Sequence, residues 1–334
     1  MHDAILIVAF GGPEKRDDVL PFLENVTRGR RIPRERLLEV AEHYYHFDGV
    51  SPHNAQVRDL IDALRSELDA HDVGLPIYWG NRNWHPMLAD TMQEMKEAGV
   101  QNALGLVLAA YSSYSSCRQY QENVRDAQQQ VGDVAASFDK IRVFYNHPRF
   151  IAASADRVRE SLAKIDATKR DTAHIAFTAH SIPQSMADGC DYALQLQETC
   201  RLITESLDID SSRWQLVYQS RSGRPQDPWL DPDICDHCRD VKVAGVDDLV
   251  IMPVGFLSDH IEVLFDLDDE AHEVCQEIGL NMVRASAVGT HPEFVAALRE
   301  LIQERLDPQQ EKRAIGQYGP SHDACPEGCC PLRA

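Results

Sequence analysis

Short apolar runs alternate with helical periodicities along the whole chain. In the first half, "AILIVAF" (4–10), "LPIYWG" (75–80), "NALGLVLAA" (102–110) and "IRVFYN" (141–146) are continuous enough to form strands buried on both faces. Between them, "RDDVLPFLENV", "NAQVRDLIDALRSELDA", "HPMLADTMQEMKEAG" and "CRQYQENVRDAQQQV" repeat apolar residues three and four apart, which predicts amphipathic helices. The second half repeats the scheme. Strands are predicted over "AHIAFTA" (173–179), "WQLVYQS" (214–220), "DLVIMPVGF" (248–256) and "NMVRASAV" (281–288). Helices are predicted over "DYALQLQETCRLITESL", "DICDHCRDVKVAG", residues 258–270 and "HPEFVAALRELIQERL". The alternation predicts an α/β protein of two similar doubly wound lobes, each a parallel sheet flanked by helices. The lobes are expected over 1–150 and 151–306, joined near 147–160, with an irregular Cys-containing tail over 307–334.

Ligands of such sheets bind beyond the carboxyl ends of the strands. That rule selects "AFGGP" (9–13), "YSSYSS" (111–116), "TAHSIP" (178–183), "YQSRSGRPQDPW" (218–229) and "PVGFLSDHIE" (253–262). No G-x-G-x-x-G fingerprint or P-loop follows any of the strands, so a nucleotide is not the expected ligand. His180 stands at a strand end, where a neutral imidazole can ligate a divalent ion or accept a proton.

The segment "SDHIEVLFDLDDE" (258–270) departs from ordinary amphipathicity. Glu262, Asp266 and Glu270 recur every four residues, with apolar neighbours on both flanks. Asp259 reads as an N-cap or a partner of the helix dipole. Those roles account for one or two acids at a helix start, not for a stripe three acids long. Hard oxygen donors in a line suit a divalent cation that keeps part of its water, and His with Glu is a pair for Fe2+ or Zn2+.

Charge removes some partners. Lys and Arg total 33 against 53 Asp and Glu, a formal net charge of −20, so neither nucleic acid nor an anionic membrane surface is an expected partner. The basic patch "TRGRRIPRER" (27–36) is either a solvated loop leading into a helix or a clamp for a small anionic substrate. No apolar run approaches the roughly 20 residues of a membrane-spanning helix, and "AILIVAF" lacks a basic leader, so a soluble cytoplasmic protein is expected. Nine cysteines argue against a disulfide framework. "CDHC" (235–238) begins a predicted amphipathic helix and reads as structural cysteines, the alternative being half of a zinc or redox site. "CPEGCC" (325–330) puts three thiols in a tail with no other reason to order; with Cys117 as a fourth, they suit a [2Fe–2S] cluster or zinc.

Taken together, "LIVAFGGPEKRDDVLPFLENV", "GVSPHN", "FTAHSIP", "YQSRSG…DPWLDPD" and "PVGFLSDHIEVLFDLD" resemble the ferrochelatases, which insert Fe2+ into a porphyrin during haem synthesis. The resemblance covers nearly the whole chain. It implies two Rossmann-like lobes with the porphyrin in the cleft between them. It also implies that His180 and Glu262 handle the metal and the pyrrole protons. Asp266 and Glu270 would then line a metal path, along a helix that the family widens with a π-type segment. Ser51 in "GVSPHN" and Tyr120 in "CRQY" match porphyrin-contacting positions, and Arg30 matches a basic contact to a propionate. Phe10 stands where some bacterial relatives carry an iron-ligating Tyr; it cannot ligate and is expected to pack against the ring. Some relatives hold a [2Fe–2S] cluster on three C-terminal cysteines and one internal cysteine. Cys325, Cys329 and Cys330 fit that pattern, with Cys117 as the internal ligand and Cys190, Cys235 or Cys238 as alternatives. The closest resemblance is to the bacterial branch that uses coproporphyrin III, giving Fe-coproporphyrin III (coproheme); protoporphyrin IX is the alternative substrate. A cobalt chelatase of corrin synthesis and a non-catalytic tetrapyrrole carrier are further alternatives. The full "GFLSDHIE" agreement argues against the first, and the acid stripe against the second. The implied enzyme is a monomer with Fe2+ as substrate, in transient contact at most with neighbouring haem-pathway enzymes.

Overall fold

Eight strands form two separate four-stranded parallel sheets in the computed structural model, which describes residues 2–30, 32–224 and 226–332. In the first, β1 (Ala4–Ala9), β2 (Ile77–Asn81), β3 (Asn102–Val107) and β4 (Ser137–Lys140) lie in the order β2-β1-β3-β4. In the second, β5 (His174–His180), β6 (Trp214–Gln219), β7 (Asp248–Met252) and β8 (Asn281–Arg284) lie in the order β6-β5-β7-β8. The two orders are the same topology used twice. Each reverses direction beside its central strand, and the switch points follow β1 and β3 in one sheet and β5 and β7 in the other.

The chain divides into two compact units. Unit 1 comprises Met1–Leu108, Cys117–Arg142 and Leu298–Glu311; unit 2 comprises Ala109–Ser116, Val143–Ala297 and Lys312–Ala334. The helices, in chain order, are α1 (Val19–Val26), α2 (Arg34–His46), α3 (His53–Asp69), α4 (Leu88–Glu97), α5 (Gln119–Val131), α6 (Pro148–Leu162), α7 (Gln184–Ala187), α8 (Tyr192–Ser206) and α9 (Ile234–Val243). After β7 come α10 (Ile261–Val263), a widened π segment over Leu264–Ala271, α11 (His272–Ile278) and α12 (Pro292–Leu306).

The strands coincide with the predicted runs except β4. It falls on Ser137–Lys140, not on 141–146, and pairs only with β3, from Asn102↔Ser137 to Gly105↔Lys140, at an edge position it shares with β2, β6 and β8. An edge strand needs no apolar pattern, so the apolar run just after it misleads. That run is still buried, and within it the Arg142 side chain is 1 % exposed. Its Nε and Nη2 donate to Glu304 Oε2 and Oε1 of α12, both at 2.9 Å. The junction near 147–160 is itself a helix: α6 starts on Pro148, with His147 as its N-cap, and buries Phe150, Ile151, Ala155 and Val158.

In unit 2 the core beneath β5–β8 draws on α9, the π segment and α11. Ala176, Val217, Leu249 and Ile251 of the sheet meet Ile234, Cys238 and Val241 of α9. Val263, Leu267, Ala271 and Cys275 belong to the same core. Those last four also recur every four residues, and the first three each stand one position after an acid of the stripe. The helix therefore carries a buried apolar line directly beside its acidic line.

Buried charge makes two of these contacts testable. Truncating one partner of a buried ion pair strands the other, at a cost of about 3–5 kcal/mol; Glu304→Ala should lower unfolding free energy by that order in urea melts, and wild-type stability would refute it. His174 and His237 stack with ring centroids 5.2 Å apart, and both are held below the ordinary imidazole range. Burial, then the neighbouring His237, pushes His174 from 6.5 to about 4. The unfolded chain takes up this proton near pH 6.5 and the folded chain only near 4, so stability is full above that window and lost as pH falls through it. In His174→Gln the loss between those two pH values should be smaller than in wild type, and equal slopes would refute the assignment.

Candidate functional site

The best-furnished end of the second sheet is its carboxyl edge, at the switch point after β5 and β7. His180 is the last residue of β5 and pairs in register with Gln219, the last of β6. Its Nδ1 lies 2.5 Å from the carbonyl oxygen of Ser181. A carbonyl only accepts, so Nδ1 carries a proton, and the nitrogen that can offer a lone pair when the ring is neutral is Nε2. The loop behind it is anchored: Ser181 N donates to Gln219 O at 2.8 Å, Ser181 Oγ to Leu230 O at 2.7 Å, and Tyr192 OH to His180 O at 3.1 Å.

Glu262 comes from the other side of the switch point, in α10. Its Oε2 lies 4.0 Å from His180 Nε2. That is too long for a direct hydrogen bond and about half an ångström wider than the roughly 3.4 Å that separates two donors at about 2.0–2.2 Å on one tetrahedral ion, so a small closure of the pair would let both hold one ion. The turn leading to α10 needs a glycine: a Cβ on Gly255 would stand 2.6 Å from Ala179 Cβ. His260 stacks edge-on against Phe256 at 5.0 Å, and burial holds its imidazole below the ordinary range.

Asp266 is one step along the stripe. It accepts from Gln219 Nε2 at 3.1 Å and from Ser220 Oγ. Ser220 has φ +60°, the left-handed region. Burial pushes the Asp266 carboxyl up to about 7, against the hydrogen bond from Ser220, with the Glu262 charge adding to the rise. Glu270 is exposed, and its carboxyl is also raised, first by partial burial and then by Asp233. Four residues exceed an α turn of about 3.6 and fall short of a π turn closed by i→i+5 bonds. Passing from α10 into the π segment thus brings Glu262, Asp266 and Glu270 back into one line.

Asp259 is not the helix cap. The cap position is His260, and Asp259 accepts instead from Arg284 Nη1 at 2.8 Å and from Ala287 N at 3.2 Å. Arg284 also donates through Nε to Asp268 of the π segment. One guanidinium at the end of β8 therefore clamps both the loop before α10 and the widened turn.

In unit 1 the loop after β1 carries Phe10. Arg82 places its guanidinium 5.6 Å from the Phe10 ring centroid and 4.7 Å from that of Tyr120 in α5. Burial raises the Tyr120 phenol above its ordinary range, and Arg82 opposes that rise. Ser51 is buried; its N donates to Pro13 O at 2.8 Å, and a Cβ on Gly12 would come within 2.9 Å of its Oγ. Asn54 Nδ2 donates to Gly12 O at 3.2 Å and fixes the same loop. Arg30 lies on an exposed loop whose backbone N bonds Thr27 O at 2.9 Å, and Arg31 of the basic patch is outside the described residues.

The tail is ordered by unit 2. Ile315 N donates to Asn146 O at 3.0 Å, Asn146 Nδ2 to Tyr318 O at 2.9 Å, and Gln317 N to Glu198 Oε1 at 2.7 Å. Beyond these anchors His322, Cys325 and Cys329 bring their donor atoms within 4.8 Å of one another, and Cys329 Sγ lies 3.6 Å from Cys330 Sγ. Thiolates sharing a tetrahedral ion at about 2.3 Å stand roughly 3.8 Å apart, so the donor set fits a metal centre. Burial, then Cys329, raises the Cys330 thiol, with Cys190 adding a smaller push, and the Cys190 thiol donates to Met186 O at 3.2 Å. Cys117 is buried in unit 1, with Gln121 Nε2 at 3.9 Å from its Sγ. Cys238 is wholly buried in the unit 2 core beside Cys275, a structural thiol, while Cys235 is partly buried against the same core.

Comparison with known proteins identifies the architecture. The family profile named Ferrochelatase matches residues 2–306. The chain belongs to the ferrochelatase family. It is 53 % identical over 330 residues to a protein of Rhodopirellula baltica named ferrochelatase, covering 98 % of this chain and 93 % of that one. It is 49 % identical to the coproporphyrin III ferrochelatase of Streptomyces coelicolor, covering 100 % and 94 %. The sirohydrochlorin chelatase of Bacillus subtilis, solved with cobalt, shares the fold at TM-score 0.54 and 10 % identity, over 91 % of this chain and 95 % of that one. The chain is thus a two-lobed chelatase-type α/β protein and a metal chelatase by family.

Within this ferrochelatase, Arg284, Gln219, Ser220, Arg82 and His322 are functional candidates that sequence reasoning does not single out. Gln219 and Ser220 stand in a flagged strand-end loop, but nothing there marks their partner; Arg82, Arg284 and His322 carry no local signal. Arg284 bonds neither Glu262 nor Asp266 but the loop and turn on either side of them, and loss of a residue that orients a site's ligands typically costs 10–100-fold. Arg284→Ala should raise the apparent KM for Fe2+ about ten-fold while porphyrin affinity, read by fluorescence quenching, stays unchanged. Unaltered Fe2+ kinetics in that variant would refute the clamp.

Proposed function

We propose that this ferrochelatase inserts Fe2+ into coproporphyrin III, releasing Fe-coproporphyrin III and two protons. The observation that carries the reading is His180 Nε2 facing Glu262 Oε2 across 4.0 Å, in a ring whose Nδ1 is occupied by the Ser181 carbonyl, with Asp266 and Glu270 following along the same helix. The reaction needs a base beside the macrocycle, because both pyrrole N–H protons leave as the ion enters. His180 and Glu262 supply it: each is an acceptor, and together they hold the ion without enclosing it. Asp266 and Glu270 carry the partly hydrated cation inward along the helix. Phe10 packs against the ring and offers no axial ligand. Ser51 and Tyr120 contact the porphyrin, and Arg30 meets a propionate.

The choice of coproporphyrin III rests on the name of the Streptomyces relative, which aligns over the full chain. The tail thiols Cys325, Cys329 and Cys330, with Cys117 as the internal candidate, hold a [2Fe–2S] cluster. Such a cluster supplies one-electron chemistry and a covalent tie for the tail. The same reading makes the protein a cytoplasmic monomer with only transient contact to neighbouring haem-pathway enzymes; among the described residues no helix is long and apolar enough to cross a membrane.

Anaerobic metal insertion followed by absorbance tests the assignment. Coproporphyrin III should turn over faster than protoporphyrin IX, and the reverse order would overturn the substrate. Removing a general base typically costs about 10²–10⁴-fold, so His180→Ala and Glu262→Gln should each lose at least ~100-fold in kcat. Undiminished turnover in either would remove that residue from the chemistry.

A further inference from the structure

We propose that His174 and His237 form a second metal site, a two-imidazole seat for a borderline divalent cation such as Zn2+, at the amino edge of the second sheet. The candidate chelation site lies at the opposite edge, and no residue of the porphyrin or cluster readings takes part.

The two rings meet between β5 and α9. His174 opens β5, and alternate residues of a strand share a face. It therefore lies on the side of Ala176, which packs with Ile234, Cys238 and Val241 of α9. His237 belongs to that same helix and is 3 % exposed, against 9 % for His174. The ring centroids are 5.2 Å apart. Each Nε2 is buried and has no hydrogen-bond partner. A buried polar nitrogen left unpaired is costly, and here two are left so in one contact.

One ion satisfies both nitrogens. Two imidazoles at about 2.0–2.1 Å on a tetrahedral ion have ring centres roughly 5 Å apart, close to the separation observed. Burial holds both rings below the ordinary imidazole range, so at neutral pH each is uncharged and can present a lone pair at Nε2. Nearby charge has both signs. Arg213 opposes a cation at His174, but its Nε and Nη2 are tied to the carbonyl oxygens of Ala173 and Arg170. Asp240, exposed and one turn along α9 from His237, acts on that ring with the opposite sign. Imidazole nitrogens with a carboxylate beside them suit Zn2+ over Ca2+ or Mg2+, which take oxygen ligands. The ion would pin α9 to β5 six residues from His180, about 20 Å along the strand.

The test uses full-length protein stripped with a chelator, dialysed against Zn2+ and counted for bound ions per chain. Wild type should retain one Zn2+ more than His174→Gln and one more than His237→Gln, with metal insertion activity kept in both variants as the sign that they are folded. The double variant should also fall by one, because both rings serve one ion; a fall of two puts them on separate ions and overturns the shared seat. An equal count in wild type and either active variant overturns the site. Wild type labelled with 15N in its histidine rings answers without any substitution. Zn2+ should shift the Nε2 resonances of His174 and His237, and resonances that stay in place overturn the site even where the variants fail to fold.

Discussion

The carboxylate of Asp266 fastens the acidic helix to the sheet, and the rest of the candidate site depends on that attachment. Gln219 Nε2 and Ser220 Oγ, at the end of β6, both donate to it. A partly buried carboxylate without donors would be expelled or kept protonated, because losing its hydration is costly unless hydrogen bonds replace it. Gln219 is also the register partner of His180. The same residue therefore sets the strand that presents the imidazole and the helix that presents the acids. The 4.0 Å spacing of His180 and Glu262 follows from that shared support.

The widened turn solves a packing conflict. Val263, Leu267 and Ala271 must face the core, while Glu262, Asp266 and Glu270 must stay in one line beside it. An undistorted α-helix advances each residue four positions on by slightly more than a turn, so both lines would spiral away from their targets. The π segment reverses that drift. Arg284 then holds the turn from the far side by bonding Asp259 and Asp268, which makes the geometry a clamped feature rather than a local preference.

Most of the fold is legible in the chain. The central strands β1, β3, β5 and β7 fall on continuous apolar runs, because strands flanked by neighbours and helices on both faces must be apolar throughout. Of the four edge strands β4 is the one the pattern misses: an edge permits a polar strand, and "SFDK" is polar. The stretch near 147–160, where the lobes are expected to join, is helix α6, which a proline at the first helical position starts. At the site, His180 ends β5 and Glu262 opens the helix after the loop that follows β7, the edge where a ligand is expected. Their supports carry no such signal, since a hydrogen-bond partner reached across a long stretch of chain leaves no spacing to read: Gln219 and Asp266 are separated by 47 positions.

The sequence by itself determined the class of the fold, the position of the acidic stripe and the family, because periodicity and local motifs depend only on neighbours along the chain. Only the tertiary structure decided that Asp259 serves Arg284 instead of the helix dipole, that Arg82 lies against both Phe10 and Tyr120, and that His322 converges on the tail thiols. The first two are meetings of side chains from separate elements, and the third depends on a tail ordered by its anchors. The physical cause is packing and desolvation within a unit, which fix partners that no local pattern encodes.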